Sequence, residues 1–187
     1  MLAVGRPGQG VPAQCPDDRA VRLPLLSHPT LSTIRRGSEA DWHLIDAFHR
    51  GCCPESLLRR WGRSRITRRD ISRLLAHSTI WIGLDADGAP LGIVSAGFVS
   101  REAGVVDLGL QVADAHQRRG IGTLLARHAA DHARRRGAHT LTAYLHAANT
   151  PMLRLLDRLG PAAHTRHGTY LDVRILLGER PTTGRRP

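Results

Sequence analysis

Residues 106–126 read VDLGLQVADAHQRRGIGTLLA. From Val106 to Val112 apolar and polar positions alternate. Val106, Leu108, Leu110 and Val112 fall on one face and Asp107, Gly109 and Gln111 on the other, the period of a strand. From Ile121 onward the apolar residues recur at helical spacing, with Ile121, Leu124, Leu125, His128 and His132 on one side. Between the two lies Gln117-Arg118-Arg119-Gly120-Ile121-Gly122. Gly120 and Gly122 remove side chains where backbone N–H groups must approach a ligand, and the unpaired amides of the helix's first turn carry partial positive charge toward it. A strand, a glycine turn and a helix N-terminus together make an anion site, and phosphate is the ligand that suits it best.

Outward from this unit the pattern stays regular. Downstream, the helix ends at Gly137 and Thr140 to Leu145 reads as a strand. Pro151 to Leu159 reads as a helix that Asn149 or Thr150 caps and Gly160 stops, and Tyr170 to Leu177 as a last strand, with a further short strand expected near His164. Upstream, Thr79 to Leu84 and Leu91 to Ser100 are strand-like runs joined by Asp85-Ala86-Asp87-Gly88, a hairpin signal. Before them come a short strand over Leu31 to Arg36 and a helix opened by Ser38 and Asp41. A second helical piece begins at Pro54, and a third is capped by Thr67. The expected fold is α/β (α+β): a mixed, mostly antiparallel twisted sheet of six or seven strands flanked by four or five helices. It occupies residues 31–177, between tails at 1–30 and 178–187.

The chain has 187 residues, 41% of them hydrophobic, enough for one core. Every one of its 27 basic residues is arginine, and the formal net charge is +11. Such a balance favours acidic ligands, or reflects solvated arginines alone. Nucleic-acid binding is disfavoured because only 4% of residues are aromatic and no helix-turn-helix or zinc pattern is present. Cys15, Cys52 and Cys53 lack metal-ligand spacing and argue for a reducing, cytoplasmic setting. No apolar run approaches the ~20 residues of a membrane span. His128 and His132 share one helix face but have no third metal ligand nearby.

Three segments carry a resemblance. Gln117 to Gly122 is similar to the Q/R-x-x-G-x-G/A turn of the GNAT-fold N-acetyltransferases, and Asn149 to Gly160 to that family's N-x-x-A-x-x-L-Y-x-x-x-G-F helix. Cys53-Pro54-Glu55-Ser56-Leu57 resembles a segment of its bacterial protein-lysine acetyltransferase branch. The resemblance covers residues 32–177 and implies acetyl-coenzyme A as co-substrate. Its pyrophosphate would rest on Gln117, Arg118, Arg119, Gly120, Ile121, Gly122 and Thr123. Its pantetheine arm would lie along Leu110 to Val112, with the Val112 amide stabilising the oxyanion by about 3 kcal/mol. Asn149 would bond the pantetheine or merely cap its helix.

Asp107 matches by position a glutamate that serves as general base; His116, and His164 or His167 in the loop beside the cleft, are alternatives. The acceptor implied is a primary amine, on a small molecule or a protein lysine, and the assembly a monomer or homodimer. The chain departs from the pattern at Leu156, where a proton-donating tyrosine is usual, and at Gly160-Pro161 in place of Gly-Phe. A thiolate leaves without an acid because its pKa is only about 8.5. Two other readings follow: a coenzyme A-binding sensor, motivated by Leu156, and an arginine-rich nucleic-acid binder, motivated by charge.

Overall fold

The computed structural model describes residues 30–178. Apart from the boundary residues Thr30 and Gly178, both expected tails lie outside the described residues. Seven strands, β1 (Thr33–Arg36), β2 (Thr79–Leu84), β3 (Pro90–Phe98), β4 (Val105–Val112), β5 (Thr140–His146), β6 (Ala162–His167) and β7 (Tyr170–Leu176), form one sheet in the order β1-β2-β3-β4-β5-β7-β6. The helices are α1 (Trp42–Arg50), α2 (Pro54–Trp61), α3 (Arg68–His77), α4 (Ile121–Arg135) and α5 (Thr150–Leu156). Neighbouring strands are antiparallel except β4 and β5, which the α4 crossover returns in parallel.

Local signals fix the helix starts. Thr67 Oγ1 accepts from Asp70 N at 3.3 Å while Asp70 Oδ2 accepts from Thr67 N at 3.0 Å, a reciprocal cap for α3. Ser38 N donates to Asp41 Oδ2 at 2.8 Å ahead of α1. The Asp85–Gly88 turn joins β2 to β3 as its Asp-Gly pair predicts, with Gly88 at φ 81°.

Alternation along the strands gives the sheet two buried faces. One is covered by α4 and α5, where Leu125, Ala126, Ala129, Ala130 and Leu156 meet Val94, Val106, Leu141 and Val173. The other lies under α1 to α3, where Ile45, Phe48, Leu57 and Ile71 meet Ile80, Ile82 and Ile93. Alanines on α4 let the helix sit close to the sheet. Leu124 departs from the expected buried face: it is half exposed, because the apolar stripe of α4 runs through its alanines. His128 and His132 pack edge-on against Trp81, with ring centroids 5.4 and 4.8 Å away, and serve as core-boundary residues. No group of metal-ligating side chains occurs among the described residues.

The region from Ala162 to Tyr170 corrects one expectation. His164 and His167 lie on β6, paired with β7, rather than in a loop beside a cleft. The α5 helix also stops earlier than expected, at Leu156. Gly160 follows because a Cβ there would lie 2.7 Å from the Leu176 carbonyl oxygen, so the glycine permits close passage over β7.

Candidate active site

The glycine turn folds as its residues dictate. Gly120 is the residue before α4 and has φ 81°, a conformation that costs an L-residue energy. A Cβ there would meet nothing within 4 Å, so the turn is open on the ligand side. Gly122 has a different reason to be small. Its Cβ would lie 3.2 to 3.4 Å from Leu155, Leu110 and Val112 side chains, so it lets the first turn of α4 seat against β4 and α5. Arg118 is the one non-glycine residue with positive φ, 61°, among those described, and places local strain in this turn. Arg119 Nη1 lies 3.5 Å from His116 Nδ1.

Gln117 holds protein rather than projecting freely. Its Nε2 lies 3.0 Å from Asp114 Oδ1, 3.3 Å from Ser56 Oγ and 3.3 Å from the Val112 carbonyl oxygen. Asp114 in turn accepts from Cys53 N at 2.6 Å and from the Ser56 hydroxyl. The start of α2 is therefore fastened to the segment that precedes the glycine turn. That gives the Pro54-Glu55-Ser56 segment a physical role.

Beyond the turn, β4 and β5 part. Their pairing runs only from Val105–Thr140 to Asp107–Thr142. The direction of each backbone group follows from alternation. Val99 N donates to Val105 O and Ala113 N to Leu91 O, so odd-numbered residues of β4 bond toward β3. The amides of Leu110 and Val112 consequently point across the gap. On the other edge Leu177 N donates to His139 O, so odd residues of β5 face β7 and the amides of Tyr144 and His146 point into the same gap. From Asp107 to Val112 the opening spans about 17 Å. An extended, amide-bearing arm can enter there as an added strand does. The cleft joins these edges to the turn, lined by Gly120, Gly122, Thr123, Asn149 and Met152 among others. Asn149 Oδ1 accepts from Met152 N at 3.3 Å, which makes it the cap of α5, on the cleft wall.

Asp107 stands where the gap closes, on the sheet face away from α4. Asp107 itself stays exposed, but the protein packed around it withdraws water from its carboxyl and raises it above the usual range; Arg60 pulls it back and Asp172 on β7 pushes it further up. Arg60 was not among the residues picked from the sequence. Helix α2 carries it over Gly109, where its Nη2 donates to Ser95 Oγ at 3.0 Å. A Cβ on Gly109 would collide with this guanidinium, at 1.7 Å from Nη2. A glycine on the polar face of a strand was the available signal. Thr142 Oγ1 donates to Asp172 Oδ1 at 2.7 Å.

Leu156 is fully buried in the core beneath α5, whereas Leu155 and Met152 face the cleft. Of the alternative bases, His164 lies 3.4 Å from Asp157; neither it nor His167 nor His116, nor Asp107 itself, is among the residues lining the cleft, though Asp107 borders it through its neighbours Leu108 and Gly109.

The decisive match is to the family model described as the acetyltransferase (GNAT) family, over residues 42–160. The chain belongs to the GNAT acetyltransferase family. Streptothricin acetyltransferase from Streptomyces lavendulae is 33% identical over 85 residues, 46% of this chain and 45% of that protein. The chain thus aligns with about half the length of this curated GNAT relative. Among solved structures, the GNAT domain of PAT from S. lividans matches with a TM-score of 0.68 at 21% identity, covering 76% of this chain and 89% of that one. A putative acetyltransferase from Salmonella typhimurium, solved with acetyl-CoA, matches with a TM-score of 0.58 at 23% identity over 82% and 98% of the two chains. Both share the GNAT fold seen here. The GNAT match ends at Gly160, so β6 and β7, which carry Asp172 and Tyr170, lie beyond it.

Proposed function

We propose that the chain transfers the acetyl group of acetyl-coenzyme A directly to a primary amine. The observation that carries this is the join between an anion-binding helix start at Gly120 and a sheet gap edged by Leu110, Val112, Tyr144 and His146 amides. A molecule with phosphates at one end and an amide-bearing arm ending in a thioester fits both parts. When bound, it supplies an acyl group on a good leaving thiolate.

The chain's own residues do the rest. The α4 start and the Arg118 and Arg119 charges hold the phosphates. Amides facing the gap at Leu110 and Val112 bond the arm and polarise the thioester carbonyl. The amine enters on the face that carries Asp107, which takes a proton from its ammonium form, through water where the short side chain does not reach. Its raised proton affinity suits this task. The amine nitrogen then bonds the carbonyl carbon as the carbon–sulfur bond breaks. Acceptors include small-molecule amines and protein lysines, and a monomer or homodimer serves either.

Titration calorimetry tests the site. Gly120→Asp places a carboxylate at the phosphates and is expected to abolish acetyl-coenzyme A binding; unchanged binding overturns the assignment. A coenzyme A release screen over amines, aminoglycoside-like antibiotics and lysine peptides tests the activity. Saturable binding with no release across that panel favours the sensor.

A further inference from the structure

Strand register lays out what faces the acceptor on the sheet's outer side. Directly opposed residues share a face. One rung holds Asp107, Thr142 and Arg174; the next holds Tyr144, Asp172 and Thr165; a third holds His146, Tyr170 and His167. Tyr144 and Tyr170 stack with centroids 5.1 Å apart and planes 6° from parallel. His146 meets Tyr170 edge-on at 5.4 Å. Tyr144 nevertheless remains 61% exposed and lines the cleft. One face of its ring is taken by Tyr170, so the other is turned to the cleft.

The charges on this face leave one carboxylate over. Arg174 is committed to Glu102, and Arg60 to Ser95 and the field of Asp107. Among the described residues Asp172 has only the Thr142 hydroxyl as its hydrogen-bond partner, with the Arg174 charge also felt nearby. An exposed aromatic face beside a carboxylate that lacks an ion-pair partner among the described residues calls for N–H groups that carry positive charge.

We propose that the acceptor is a small dicationic amine, its reacting nitrogen at Asp107 and its second cationic group held by Tyr144 and Asp172, which stand directly opposite each other one rung on. The two charges stand about 7 Å apart, the distance between successive rungs. This reading rests on the acetyltransferase assignment above and names its acceptor class. A lone protein lysine, with no second charge at that distance, leaves the platform unused.

The test compares 4-aminobutylguanidine with butylamine in coenzyme A release, and measures binding of 4-aminobutylguanidine to the coenzyme A-saturated protein by calorimetry. The wild-type protein is expected to favour the aminoguanidine in kcat/KM, and Tyr144→Leu to cut that preference about 3- to 30-fold, the range of one cation–π contact. Tyr144→Phe keeps the ring and is expected to keep the preference. Acetyl-coenzyme A titration of both variants reports an intact cleft. Equal use of the two amines, or a preference that survives Tyr144→Leu, overturns the platform while leaving acetyl transfer standing. Tyr144-dependent binding without turnover of any amine upholds the platform and overturns the transferase. Absence of both overturns both.

Discussion

At the scale of single residues, Asp107 carries two opposed demands. Partial desolvation and Asp172 hold its proton affinity up while the residue stays exposed, which makes it a better base. A group whose folded pKa is raised contributes stability below its unfolded pKa and loses it as pH rises through the folded value. Asp107→Asn is therefore expected to lower kcat by about 10²- to 10⁴-fold while leaving acetyl-coenzyme A binding intact. At pH 7 its urea midpoint should stay close to the wild-type value, because solvent screens the exposed carboxylate. The acid limb of the wild-type pH–rate profile should lie above the usual aspartate range and vanish in the variant. A kcat within twofold of wild type removes Asp107 from the reaction.

Leu156 makes the complementary case. Because its side chain is fully buried among core residues, Leu156→Tyr should destabilise the fold by about 1–3 kcal/mol through overpacking, seen in urea unfolding. It should leave kcat no higher than wild type. The leucine thus reflects packing at this position, and because the cleft-facing Leu155 and Met152 donate no proton either, the coenzyme A release screen decides the sensor reading.

At the scale of elements, α2 is the piece that links the two substrates' sites. Asp114 fastens its first turn through Cys53 and Ser56, and the same carboxylate meets Gln117 at the phosphate turn. Asp114→Ala leaves a backbone N–H and a hydroxyl without partners, a loss of about 1–3 kcal/mol. Since α2 carries Arg60 over Gly109, the variant should raise the acceptor KM more than it lowers kcat, and Asp114→Asn, which retains one acceptor oxygen, should recover part of the effect. An Asp114→Ala variant with unchanged KM shows that α2 is held by packing alone.

What was legible in the sequence divides along this line. Strands, caps and the glycine turn rest on near neighbours in the chain, so Thr67, the Asp85–Gly88 hairpin and Gly120 could be read directly. Arg60 over Gly109, the Asp114–Ser56 clamp and the Tyr144–Tyr170 stack join residues far apart in sequence. Only the sheet order brings them together, and no local period announces them. The short strand expected near His164 is present, but its extent to His167 and its place away from the cleft were not legible, because a polar strand with both faces exposed shows no alternation.

At the scale of the whole molecule, the sheet is two halves joined by the short parallel contact of β4 and β5. Odd residues of β4 already bond β3 and odd residues of β5 bond β7, whatever enters the gap. The even ones beyond Asp107 and Thr142 do not meet each other. A ligand arm lying there completes the sheet, and its binding energy becomes stability of the whole fold, about 2.7 kcal/mol at a ligand concentration of 100 times Kd.

Residue-resolved hydrogen exchange separates this from a ligand that binds only at the turn. In the free protein the amides of Gly109, Gln111 and Leu145 should exchange slowly, and those of Leu110, Val112, Tyr144 and His146 faster. With saturating coenzyme A the second set should slow by a larger factor than the first, because it gains hydrogen-bond partners as well as sharing the global stabilisation. If both sets slow by one common factor, the arm does not bridge the strands and the gap is no part of the binding site. If only the amides following Gly120 slow, the phosphates bind and the arm lies elsewhere.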